Sequence, residues 1–206
     1  NVPVVACLMD VGASGGYYVA LAADRIFAHP TTITGSVGVI AQMVHVHGLF
    51  EKIGVSTDTI KSGALKDAGS PFRSLTDEER NLMQGIIDQL YGRFIDTVQA
   101  RRPGLSPERL EQISTGRVFS ASDALENGLI DSVGYLDDAL EEAKKLAAIR
   151  KAHVVMYRKP FSYRGNIYAR VQTLPTQSGD FNLFKMDASN LALLNGRPVF
   201  LYLWQP

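Results

Sequence analysis

The stretch VPVVACLMDVGASGGYYVALAAD, Val2 to Asp24, begins as a strand and ends as a helix, with one serine at the changeover. Val2 to Met9 is a continuous apolar run rich in β-branched residues, the pattern of a strand covered on both faces. Glycine then interrupts it, Ser14 stands among small residues, and a helix-like apolar pattern resumes over residues 15–23. Arg25 to Ala28 (RIFA) reads as a second strand, closed by Pro30. Strand, turn, helix and strand within about thirty residues make an α/β unit.

Downstream, TITGSVGVIAQM is β-branched and punctuated by Gly35 and Gly38; HGLFEKIG reads as a short helix and VSTDTI as a strand. KSGALKDAGSPFRSL has no period and reads as a long loop. From Thr76 a strong helix is predicted. Thr76 and Glu79 have capping-box spacing, and Leu82, Met83, Ile86, Ile87, Leu90, Tyr91, Phe94, Ile95 and Val98 recur at helical intervals. Ser106-Pro107 opens another helix. Residues 120–127 form a short helix ended by Gly128, followed by a strand GLIDSV, a helix over 136–149 and a strand HVVMY. Residues 158–197 have no clear period and are expected to be loop or tail, with PVFLYLW as a last strand. The expected organisation is a catalytic domain over 1–150 and an extension over 151–206.

Bulk properties narrow the function. The 206 residues are 46% hydrophobic and 20% charged, an ordinary globular composition. Lys+Arg and Asp+Glu balance at 21 each, so no electrostatic footprint favours nucleic acid. Cys7, the single cysteine, lies in the first apolar run and allows no internal disulfide. No run reaches the length of a membrane span and no charged-then-apolar leader is present. The opening on Asn1, two residues before a strand, leads us to expect preceding sequence.

Gly12-x-Ser14-x-Gly16 between strand and helix has the form of a nucleophile elbow. The first helical N–H groups are unpaired and the dipole is positive there, so the Gly15 N–H can stabilise an oxyanion while Ser14 attacks a carbonyl. The plain alternative is that Ser14 only caps the helix. A serine hydroxyl needs a base. His29, His45 and His47 read as surface or satisfied polar residues, and the His45/His47 pair lacks an acid or thiol at supporting spacing, so no metal is expected. Asp131 with His153 gives the chain order of an α/β-hydrolase triad, although His153 opens an apolar strand pattern. The other possible base is a lysine, which must be neutral and therefore desolvated, the plain alternative for both Lys61 and Lys66 being an exposed surface lysine. Lys66, flanked by Ala64, Leu65, Ala68 and Gly69, suits this better than Lys61, which is expected to reach solvent.

The blocks GASGGYYVALAADRIFAHPTTITGSVGVI, IKSGALKDAGSPFRSLTDEER and GRVFSASDALENGLIDSVGYLDDAL, in this order, closely resemble the signal peptide peptidase A family of serine proteases, the S49 peptidases. The resemblance implies Ser14 as nucleophile, Lys66 as general base, Gly15 as oxyanion donor and Ser36 as orienter of the lysine. It places the chain in the α/β ClpP/crotonase class, built from repeated β-β-α units, with no cofactor. It implies remnant signal peptides or similar apolar peptides as substrates, a homo-oligomeric ring, and membrane association outside the cytoplasm through an anchor absent from this chain. It also places a second oxyanion donor and part of the groove in a stretch upstream of Ser14 that this chain lacks, so the N-terminal part of the fold is expected to be missing. Ile33, Gly35, Val37 and Gly38 are expected to line the substrate groove, with the edge from Ile33 to Ile40 pairing with an extended peptide. The outward face of the 76–101 helix is a candidate ring contact. A crotonase-type acyl-CoA enzyme shares the fold without needing a serine nucleophile, and a non-enzymatic scaffold half would lack one of the dyad residues.

Overall fold

In the computed structural model, which describes residues 2–157 and 200–201, the first apolar run holds one strand, as expected, and a second follows it directly. β1 (Val5–Leu8) ends before a bend at Asp10, and β2 (Val11–Ala13) continues in a different sheet. The expectation that this strand is covered on both faces is corrected: β1 is half-buried throughout. The chain then turns at Ser14 into α1 (Gly15–Ala20) and returns as β3 (Arg25–Ala28) and β4 (Ile33–Gly35).

The second strand pair repeats the first. β3 lies parallel to β1, with Val5 opposite Arg25, while β4 lies parallel to β2, with Ala13 opposite Gly35. Next come β5 (Ile40–Ala41), α2 (His47–Lys52), α3 (Asp77–Arg101) and α4 (Pro107–Ile113). A third contribution then reaches both sheets: β6 (Val118–Ser120) adds antiparallel to β4, and after α5 (Ala121–Glu126), β7 (Ser132–Val133) adds parallel to β3. The sheets are therefore β1-β3-β7 and β2-β4-β6. The repeated unit delivers one strand to each, as expected for the α/β class.

α1 is the hub of the core. Tyr17 is wholly buried and its hydroxyl donates to the Leu129 carbonyl at 2.8 Å. Leu21, Ile26, Val37, Phe94, Val98, Ile113 and Phe119 close around it, and the ring edge of Phe94 meets Tyr18 at 5.1 Å. α3 starts where its sequence says, with both arms of the capping box formed between Thr76 and Glu79. At its other end, Arg101 donates to the carbonyls of Leu21, Ala22 and Ala23, satisfying the acceptors exposed just beyond α1.

Two expected strands do not form. Residues 55–60 are irregular and Ile60 is fully exposed; residues 153–157 are irregular and exposed. β-rich composition makes a strand only where it pairs with another, and among the described residues neither segment pairs with a strand. α6 (Leu136–Leu146) ends earlier than expected. β8 (Phe200–Leu201), within the expected last strand, pairs antiparallel with β5. The expected loop or tail at 158–197 lies outside the described residues.

Candidate active site

Ser14 has a backbone that few serines adopt, with φ of 50° and ψ of −112°. The next strand of the sheet holds it there: the Ser14 N–H donates to the Gly35 carbonyl at 2.8 Å, one residue beyond the β2–β4 register. Gly35 is itself required, because at its φ of 78° a Cβ would come within 2.6 Å of the Phe119 ring. A positive φ at a non-glycine residue costs on the order of 1–3 kcal/mol and persists only where its surroundings impose it.

This backbone turns the side chain away from capping. Ser14 stands at the N-cap of α1 yet makes no side-chain cap bond, and among the described residues its hydroxyl has no hydrogen-bond partner. It is only 2% exposed. The Gly15 and Gly16 N–H groups begin α1, where no helical carbonyl is available to them. A shielded, unengaged hydroxyl thus stands beside free N–H donors, an arrangement suited to acyl transfer.

Ser14 opens onto a cleft of about 280 Å³ lined by Ser36, Gly38, Val39, Ile40, Tyr91 and residues 114–116. Ser36 is also held at positive φ, 51°, with its N–H donating to the Arg117 carbonyl at 2.8 Å. Of the four expected groove residues, Gly38 lines this cleft. Val37 does not, being wholly buried in the core. Ile33 and Gly35 lie on β4, which is paired on both edges, so that part of the expected edge cannot accept a peptide as an added strand, whereas Gly38, Val39 and Ile40 line the cleft. Tyr91 and residues 114–116 were not foreseen as cleft residues. Tyr91 belongs to the apolar repeat of α3 and reads as core; its hydroxyl, which donates to the Ser114 carbonyl at 2.8 Å, was the available signal.

The structure does not bring Lys66 into this cleft. Lys66 is exposed, as are Ala64 and Leu65; of the small residues expected to bury it, only Gly69 is itself buried. The loop is a chain of short turns, with Lys66, Ala68 and Ser70 each donating its N–H to the carbonyl three residues back, and such turns stack no apolar cover over the ammonium. Lys61 is exposed, as expected, but not idle. Its Nζ donates to the Ala64 carbonyl at 2.9 Å and pairs with Asp67 at 2.6 Å.

The histidine alternative finds no support in the geometry. Asp131 accepts from the Ile26 N–H at 2.6 Å and from Arg102 at 2.8 Å, so both its oxygens serve the fold. His153 is exposed and lines a separate groove with α6.

Sequence comparisons bear on the same residues. The chain is 36% identical over 185 residues to an Enterococcus faecium protein carrying the provisional name signal peptide peptidase SppA, covering 87% of this chain and 54% of that one. It is 38% identical over 162 residues to the chloroplastic serine protease SPPA of Arabidopsis thaliana (77% and 24%), and 36% identical over 156 residues to Protease 4 of Salmonella typhi (76% and 25%). The chain thus spans about half the length, or less, of these relatives. Among solved structures, an enoyl-CoA hydratase/carnithine racemase from Magnetospirillum magneticum aligns over 71% of this chain and 39% of that one, at 17% identity and a TM-score of 0.38. The model of peptidase family S49 matches residues 1–150, a stretch that takes in everything from β1 through the Ser14 turn to the end of α6, and the chain belongs to that family.

Proposed function

We propose that this chain carries the nucleophile and the base of a serine endopeptidase, Ser14 and Lys66, acting through an acyl-enzyme on remnant signal peptides or similar apolar peptides. One observation carries the proposal: a serine held at positive φ at a helix start, uncapped, with its hydroxyl opening into a cleft. The relatives named as proteases support the same reading.

The steps follow from these groups. Neutral Lys66 Nζ takes the Ser14 hydroxyl proton as Oγ bonds to the peptide carbonyl carbon. The carbonyl oxygen, now anionic, accepts from the Gly15 N–H. Collapse breaks the C–N bond, and the lysine proton passes to the leaving amine. Water, deprotonated by the same lysine, then releases the acyl group and restores Ser14. Ser36, in the same cleft, is assigned the orientation of the lysine. The Val39 and Ile40 side of the cleft favours small or apolar side chains, so cleavage after Ala or Leu is expected to exceed cleavage after Arg or Asp.

Because Lys66 is exposed in the single chain, we place its burial in the assembled homo-oligomer. The exposed apolar residues Leu49, Ile53, Val55, Ile60, Leu65 and Phe72 cluster in sequence around the lysine loop and suit such a contact better than the largely polar outward face of α3. Location outside the cytoplasm, and membrane association through sequence outside this chain, belong to the same proposal; among the described residues no helix is long and apolar enough to cross a membrane. The decisive experiment is labelling of the full-length protein with a fluorophosphonate, followed by mapping of the modified residue. Modification at Ser14 that is lost in Lys66→Ala supports the dyad; modification elsewhere, or labelling unchanged in Lys66→Ala, removes it.

A further inference from the structure

We propose that Arg73 is a positioning residue for Lys66, holding the neighbouring Asp67 and thereby fixing the lysine turn to the first turn of α3. The inference rests on the reading of Lys66 as base.

The connection runs through charged bonds only. Arg73 donates from Nε to Asp67 Oδ2 and from Nη2 to Oδ1, both at 2.9 Å, and reaches the Asp67 carbonyl at 3.2 Å. The same guanidinium grips both carboxylate oxygens of Glu79, with the Nη1 bond at 2.8 Å. Glu79 is 1% exposed and also accepts from the Thr76 N–H at 2.9 Å, so it is part of the capping box that starts α3. A buried carboxylate is tolerated only when paired, and a planar guanidinium can hold two carboxylates edge-on where a lysine cannot. Arg73 also holds Glu79 well below its ordinary range, at about 2.

Two consequences bear on Lys66. Lys61 bonds across the turn to Ala64 and Asp67, so residues 61–67 form a closed clasp with Lys66 inside it. Asp67, next to Lys66 in the sequence, has both oxygens taken by Lys61 and Arg73, so the backbone on that side of the lysine is fixed. α3, which anchors this clasp at Glu79, also carries Tyr91 into the wall of the Ser14 cleft. One rigid helix therefore relates the lysine turn to a cleft.

The test uses the full-length protein and a fluorogenic apolar peptide. Asp67→Asn keeps the Arg73–Glu79 pair and the shape of the side chain while removing the charge that clasps the turn. The expected result is a fall in kcat of roughly 10- to 100-fold, the scale of a slight misplacement of a reacting group, with KM within about twofold and the melting temperature preserved. Fluorophosphonate labelling of Ser14 slows in parallel. Arg73→Lys, which keeps the charge and loses the fork, is expected to show the same kcat loss. If Asp67→Asn retains kcat while Lys66→Ala is inactive, Arg73 has no positioning role and the dyad stands. If Asp67→Asn lowers kcat only in proportion to folded protein lost, the cluster is structural and the inference fails. If Lys66→Ala turns over normally, the dyad and this inference fall together.

Discussion

Thr76, Ser106 and Ser120 stand before α3, α4 and α5 with extended backbones, and each accepts a hydrogen bond at 3.2 Å from the N–H three residues on. Ser14 stands in the same place before α1 and accepts none. The residue type and its position on the helix are shared; the backbone differs. At the three caps φ lies between −79° and −65°, which brings the hydroxyl back over the first turn, whereas the β4 contact holds Ser14 at 50°. A capping hydroxyl spends its lone pair on the helix. The strained one leaves both itself and the helix amides available to a ligand.

This contrast makes opposite forecasts for like substitutions. The largest effect belongs to Ser14→Ala, which is expected to remove turnover by roughly 10⁴-fold or more, on the scale of serine nucleophiles elsewhere. Its melting temperature stays near that of the parent because no cap bond is lost. A variant that melts early and keeps its activity would reverse the roles of the two kinds of serine. Lys66→Ala comes next, with a loss of about 10²- to 10⁴-fold, the range for a general base. Lys66→Arg should not restore the rate, since a guanidinium stays protonated; steady-state kinetics of both variants, compared with Lys61→Ala, measure this.

Ser120→Ala and Ser106→Ala are expected to cost about 1 kcal/mol of stability each and leave kcat unchanged, read by urea unfolding and by rate. The smallest effect is electrostatic. Arg73 holds the Glu79 carboxyl down at about 2, from an ordinary value of 4.5, so its contribution to stability is fully present above about pH 4.5 and is lost as pH falls toward 2. Thermal melts across that window should slope more steeply for the parent than for Glu79→Gln. Parallel slopes would show that other carboxyls govern acid unfolding.

The capping signals were legible because they are local. Thr76 with Glu79 and Ser106 with Pro107 each declare a helix start within four residues, and both helices begin there. The position of Ser14 was legible too, from glycine spacing and family resemblance together. Its φ was not, because that is imposed by Gly35 on a strand twenty residues away in sequence. The division of Val2 to Met9 from β2 depends on a bend at Asp10 that apolar content hides. Residues 55–60 and 153–157 have strand composition but pair with no strand among the described residues, and pairing is a property of topology. The exposure of Lys66 was misread for a related reason: small neighbours permit burial, but only a covering element produces it.

The β6-α5-β7 segment has a consequence for synthesis. β3 and β4 each gain their second neighbour from it, so until residues 118–133 leave the ribosome both sheets stand with a bare edge. The whole of α3 is made during that interval. A single short segment then closes both edges at once, one strand to each. Translation that stalls after α4 and before β6 leaves the second edges of β3 and β4 unpaired on one nascent chain, a form prone to pairing with another copy.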